Sequence, residues 1–178
     1  IVTGSTGSSA QVFLAADGTL LQTLGPKVEP AYQAAVTALA FSADDRLLLV
    51  GDAHGHCRVW RRDDSGQWAE RFVWRDHSRR ITAAAFLPNG SRALTASLDN
   101  SVAQWDLETG KELTSRILKH PEGVTSMALL PDGKRAVTTC DDGKLRLWDV
   151  DTGQVLAEMS SEDDALHFVN ISPDGQQA

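Results

Sequence analysis

Three tryptophans set the terms on which this chain can fold. Trp60, Trp105 and Trp148 stand 45 and 43 residues apart, and the last two open near-identical phrases, Trp105-Asp106-Leu107-Glu108-Thr109-Gly110 and Trp148-Asp149-Val150-Asp151-Thr152-Gly153. A period of that length means that one supersecondary unit is copied along the chain. Each copy is too small to bury its own apolar faces and relies on its neighbours for a core.

Aligning the copies resolves the unit into strands. Residues 36–42, 81–87 and 124–130 are one small, apolar element seen three times, and residues 166–172 are a fourth. Each is followed by a turn signal: Ala43-Asp44-Asp45, Pro88-Asn89-Gly90, Pro131-Asp132-Gly133 and Pro173-Asp174-Gly175. Proline presets a turn and glycine accepts a positive φ, so hairpins are expected there. Second strands then run over residues 46–51, 92–97 and 135–140, and third strands carry the tryptophans over 57–60, 102–105 and 145–148. A polar turn leads to an outer fourth strand, which completes a four-stranded antiparallel unit.

These phrases and their spacing resemble the WD40 repeat, over nearly the whole chain and most closely in the repeats of Trp105 and Trp148. The resemblance implies an all-β fold: a WD40-type β-propeller region of about four blades of four-stranded antiparallel sheet, a partial propeller or half of a ring. The repeat segments fall at approximately 1–30, 31–75, 76–119, 120–161 and 162–178 of a single region. Phe13 aligns with Trp148, and Pro173-Asp174-Gly175 with Pro131-Asp132-Gly133, which places both Ile1 and Ala178 opposite Ala136. Three arrangements satisfy that phase: a piece of a larger propeller, which is the expectation here, a homodimer closing an eight-bladed ring, or a closed four-bladed ring. There is no initiator Met and no basic-then-apolar leader at Ile1-Val2-Thr3-Gly4, so the chain is expected to be cut from something longer, and its compartment is left open.

The resemblance also implies a structural role for residues that look chemical. His77, Ser97, Asp99 and Trp105 occupy the places where WD40 repeats hold a hydrogen-bonded tetrad, in which Trp105 donates to Ser97, Ser97 to His77, and Asp99 accepts from the other ring nitrogen. The repeat of Trp148 keeps His120 and Asp142 but has Cys140 in the serine's place, so a weakened relay is expected there. In the repeat of Trp60, Tyr32, Asp52 and His54 stand in the His, Ser and Asp places, and Phe13 removes the indole from the first repeat. Ser, His and Asp are equally the parts of a hydrolase triad. No Gly-x-Ser-x-Gly elbow and no second oxyanion donor accompany them, so catalysis is not expected.

His54-Gly55-His56-Cys57 raises a metal site, but strand alternation sends His56 and Cys57 to opposite faces, which leaves two imidazoles at the surface; neither a metal nor a cofactor is expected. Cys57 and Cys140 fall in non-adjacent repeats and read as small buried residues, not as a disulfide. The net charge of −7 disfavours nucleic acid, whose phosphates need clustered Lys and Arg. No apolar run approaches the roughly 18 residues of a membrane helix.

What remains is a noncatalytic scaffold for a protein or peptide partner. In the resemblance, the binding face is built by the loops before strand one and after strand two. Carried over residue by residue, that face comprises Ala35, Thr37 and Ala53; Arg79, Arg80, Thr82 and Leu98; and Glu122, Gly123, Thr125 and Asp141. Arg79-Arg80 opposes Glu122 and Asp141 one repeat away, a bipolar patch able to orient a partner. Arg61-Arg62, Trp68, Phe72 and Trp74 are expected to pack along an outer edge. Two alternatives stay open. One is a regulatory or sensory propeller fused to a catalytic domain outside this chain, as in the bacterial WD proteins that the Pro-Asp-Gly and Trp-Asp phrasing resembles. The other is a propeller enzyme, for which the inner strands offer only His167 as an ionisable group.

Overall fold

The computed structural model describes residues 1–7, 9–25, 34–113, 118–160 and 166–178. The described residues form only strands and turns, in sheets whose strands pair antiparallel with their neighbours in sequence. Blade 1 has three strands, β1 (Val2–Gly4), β2 (Ala10–Phe13) and β3 (Leu20–Leu24). Blade 2 has four, β4 (Val36–Phe41), β5 (Leu47–Asp52), β6 (Cys57–Arg62) and β7 (Trp68–Trp74). Blade 3 comprises β8 (Ile81–Phe86), β9 (Arg92–Ser97), β10 (Ser101–Asp106) and β11 (Leu118–Lys119), and blade 4 β12 (Val124–Leu129), β13 (Arg135–Cys140), β14 (Lys144–Asp149) and β15 (Val155–Ser160). No helix among the described residues is long and apolar enough to cross a membrane.

The hairpin turns follow from their residues. Gly90, Gly133 and Gly175 take positive φ at the first-to-second strand turns, and Asp45 takes φ 57° at the corresponding place in blade 2. One expected element is missing. Residues 166–172 form no strand, although the turn after them closes through Ser172 N–H to Gln177 O at 2.9 Å. No described strand lies beside them to supply ladder partners, so the segment holds an inner strand's place without the pairing that defines one.

The blades cohere by packing face on face. Inner strands β4, β8 and β12 lie side by side and are built from small residues, such as Ala38, Ala84 and Ala128, because they converge on the axis. Larger side chains fill the widening interfaces. Trp74 of β7 stacks on Trp105 of the next blade with centroids 4.4 Å apart and planes 6° from parallel, and its indole N–H donates to Gly110 O at 2.9 Å. A Cβ on Gly110 would lie 2.4 Å from the Phe72 ring, so that turn requires glycine both for this approach and for its φ of 72°. Trp68 is held by Gln22 of blade 1 at both its N–H and its carbonyl, each at 2.9 Å. The outer-edge aromatics are thus interblade contacts, whereas Arg61 and Arg62 are exposed. Cys57 and Cys140 are buried free thiols.

The tetrad is built on a different hydroxyl from the expected one. Trp105 Nε1 donates to Thr95 Oγ1 at 2.7 Å, Thr95 meets His77 Nε2 at 2.8 Å, and His77 Nδ1 meets Asp99 Oδ2 at 2.8 Å. Ser97 instead donates to Arg79 O at 3.0 Å. Register explains the correction: Trp105 pairs across from Ala93, so Thr95 is two residues along the same face, while Ser97 lies four residues on, about 13 Å away along the strand. The donor sequence fixes the tautomer, with His77 Nδ1–H given to Asp99 and Nε2 accepting from Thr95. Burial alone would raise the Asp99 carboxyl, but hydrogen bonds from His77, Ser101 and the Ser78 N–H outweigh it and hold it at about 2.

Blade 4 repeats the relay through Thr138, which contacts Trp148 Nε1 and His120 Nε2 at 2.8 Å each. Cys140 therefore does not weaken it; Cys140 instead points its Sγ–H at Glu122 O, the place that Ser97 fills in blade 3. The break comes at the acid. Asp142 is taken by Arg146, whose guanidinium holds its carboxyl at about 2, and His120 Nδ1 turns to Leu118 O at 3.3 Å. Without an acid beside it, buried His120 is pushed down to about 4. In blade 2 the threonine's place, two residues beyond the partner of Trp60, is Val50, and Asp52 accepts from the His54 and His56 N–H groups at 2.9 and 3.0 Å. Tyr32 lies outside the described residues.

Two measurements follow. In urea unfolding, Thr95→Val costs about 1–3 kcal/mol and Trp105→Ala about 3–5, whereas Ser97→Ala costs about 1 or less; the reverse order for Thr95 and Ser97 would contradict the relay. The pH dependence follows from the shifts of His120, Asp99 and Asp142. Folded His120 titrates at about 4 against an ordinary 6.5, so the unfolded chain binds the proton first, and stability, full above pH 6.5, declines as pH falls toward 4. Asp99 and Asp142, each at about 2 against 3.8, add a second decline below pH 4. In His120→Gln the upper decline shrinks and the lower one persists.

Candidate functional site

The loops before strand one and after strand two meet in the same way in three blades. Ala53 N–H donates to Ala35 O, Leu98 N–H to Arg80 O, and Asp141 N–H to Gly123 O, at 2.9, 3.0 and 2.9 Å. These pairs place the residues expected on the binding face at one end of the blades. Just inside them, each inner strand breaks register by one residue, between Val36 and Ala38, Ile81 and Ala83, and Val124 and Ser126. The extra residue is Thr37, Thr82 or Thr125. A bulge of this kind re-aims its side chain, and here Thr37 and Thr82 donate to the first carbonyl of the next inner strand, Ile81 at 2.6 Å and Val124 at 2.8 Å, while Thr125 donates to Leu166 at 2.6 Å, in the segment that holds the next inner strand's place.

Beside these threonines lies a cavity of about 370 Å³ walled by Thr37, Thr82 and Thr125, by Arg80 and Asp141, and by Leu98. His167 and Phe168 close one side. His167 follows Leu166 as Thr125 follows Val124, so it takes the fourth ring place, a position that repeat alignment alone could have assigned to the site. Phe168 is 91% exposed.

The remaining face residues lie outside the cavity. Arg79 is tied to Leu98 O at 3.2 Å, Glu122 gives its carbonyl to Cys140, and Ala35 and Ala53 form the loop pair of blade 2. Gly123 is buried beneath Asp141; a Cβ there would lie 2.8 Å from the Asp141 carboxylate and 3.1 Å from the Leu98 side chain, so a larger residue would push both side chains from these positions.

Neither chemical alternative gains from the geometry. Ser97 faces a carbonyl, and the two hydroxyls that do face His77 are both buried: that of Thr95 already accepts from Trp105, and that of Ser101, 3.4 Å from Nδ1, gives its hydrogen to Asp99, so His77 has no accessible hydroxyl to activate. Asp52 is shared among the His54 and His56 N–H groups, His56 Nδ1 at 3.3 Å and Arg58 at 3.5 Å, and no group of three or more metal-ligating side chains occurs among the described residues. A larger cavity of about 570 Å³ lies between blades 1 and 2, where Gln22 is spent on Trp68 and Glu70 faces Arg58 at 3.6 Å.

Comparison with known proteins places these features in a family. The family described as WD domain, G-beta repeat, matches residues 15–61, 68–106 and 111–149. Pre-mRNA-processing factor 19 homolog 2 of Arabidopsis thaliana is 30% identical over 110 residues, 62% of this chain and 20% of that protein. Actin-interacting protein 1 of Drosophila melanogaster is 29% identical over 99 residues, 56% of this chain and 16% of that protein. The NACHT domain- and WD repeat-containing protein 1 of Mus musculus is 30% identical over 77 residues, 43% of this chain and 5% of that protein. The chain thus spans a fifth or less of the length of these relatives. With matched segments over most of its length and blades of the expected strand order, the chain belongs to the WD40-repeat family of β-propellers.

Proposed function

We propose that this region is a noncatalytic scaffold that captures a protein or peptide partner on the face bearing Thr37, Arg80, Thr82, Leu98, Thr125 and Asp141. One observation carries the reading: these six residues, from separate loops and strands of three blades, wall one polar cavity at the end of the inner strands. An interaction site needs side chains fixed by rigid elements with their functional ends unspent. The loop pairs and threonine bonds supply the first condition, and Arg80 and Asp141, both exposed and without a partner among the described residues, supply the second. Relatives named for pre-mRNA processing and for actin interaction are consistent with work done through other macromolecules.

A second reading, a regulatory or sensory propeller attached to a catalytic domain elsewhere in the protein, is favoured by one relative, whose name joins a NACHT domain to WD repeats. It uses the same face and differs in what the captured partner controls.

The test is differential capture. Proteins retained by the parent chain are expected to be lost on Arg80→Glu and kept on Arg62→Glu, a charge change at the opposite turns, with all three chains melting at the same temperature. Retention by Arg80→Glu would refute the assigned face, and loss of folding would refute its description as a free surface.

A further inference from the structure

Resting on that reading, we infer that the cavity selects a partner segment carrying a basic side chain, Lys or Arg, set against Asp141 and the threonine ring, with an acidic side chain of the same segment on Arg80. The argument is a count of protons. A hydroxyl has one hydrogen and two lone pairs. At Thr37, Thr82 and Thr125 that hydrogen is committed to the carbonyls of Ile81, Val124 and Leu166. Thr125 also contacts Thr139 Oγ1 at 2.8 Å, and since its own hydrogen goes to Leu166, Thr139 is the donor there. At its three threonine places, beside the His167 imidazole at the fourth, the ring therefore presents oxygen lone pairs to the cavity. A group seated on it has to donate, and an ammonium or guanidinium donates three or five hydrogens without asking for any in return.

The charges point the same way. The Asp141 carboxylate lies over Gly123, beside Leu98, with no hydrogen-bond or ion-pair partner among the described residues. It accepts from a cation inserted beside Thr125 in a charge-assisted bond. The exposed ring of Phe168 on the same cavity offers a π face to such a cation and an apolar surface to its methylene stem. Arg80, on the same cavity, lacks a partner among the described residues as well, whereas the adjacent Arg79 is spent on Leu98 O. A segment bearing only positive charge leaves Arg80 unpaired, and one bearing only carboxylates or phosphates meets the ring's lone pairs and Asp141. A basic and an acidic side chain close together satisfy both ends.

The experiment is selection of a random decapeptide phage library on the full chain, followed by affinity measurements of the enriched peptides on Asp141→Asn and Arg80→Gln. Both residues are exposed and unpaired among the described residues, so unchanged melting temperatures confirm intact folding. The expected result is enrichment of peptides with Lys or Arg within a few residues of Asp or Glu, each variant weakening them about tenfold or more. Enriched peptides that lack a basic residue, or that bind Asp141→Asn as well as the parent while losing affinity on Arg80→Gln, would overturn this inference and leave the interaction face standing. Peptides indifferent to both substitutions, or no enrichment, would overturn the inference and the proposed face together.

Discussion

The buried hydroxyl of Thr95 is the point from which blade 3 is organised. It accepts from an indole on the third strand and donates to an imidazole in the loop ahead of the first, so one side chain on the second strand ties three segments together. The loop it anchors begins at His77 and ends at Arg80. Its geometry therefore determines where the face carries its cation. A buried network of this kind stabilises only when every member is satisfied, and no buried side-chain nitrogen or oxygen among the described residues is left unpaired. Blade 4 keeps the same anchor through Thr138, and its loop delivers Gly123 beneath Asp141. Stability and site are thus consequences of one arrangement.

Between blades, apolar burial does most of the work and polar contacts set the alignment. The stack of Trp74 on Trp105 is fixed by the bond to Gly110 O, and the blade 3 to blade 4 contact by Gln104 to Val150 O at 2.6 Å and Arg92 to Asp151 at 2.6 Å. Nearer the axis the bulged threonines do the same for the inner strands. Since each uses its only hydrogen on the neighbouring segment, the chemistry that aligns the inner strands also leaves acceptor oxygens at the three threonine places.

Much of this was legible in the chain. Repeat period, strand order, hairpin turns and the pairing of the loops at one end of the blades all follow from residues that recur at fixed spacing, because recurrence reports backbone geometry. Residues whose role depends on side-chain reach were not legible. Thr95 and Ser97 lie on the same face of β9, and only the pairing of Trp105 with Ala93 puts the indole within reach of the first. Cys140 was read as a defect in blade 4, where the actual change is the capture of Asp142 by Arg146, two residues before the tryptophan. His167 entered the site through register with the threonines although its residue type broke their pattern. The expected strand over residues 166–172 failed because strand structure needs a partner that local sequence cannot supply.

The central claim is that Trp105 and Thr95 act as one unit, and a double-mutant cycle measures that directly. Urea unfolding of Trp105→Phe, Thr95→Val and the double variant should give a coupling of about 1 kcal/mol or more, because once either partner is gone the second substitution removes little further. If the two costs simply add, the indole is not anchored on that hydroxyl, and the account of how this loop and its arginine are positioned falls with it.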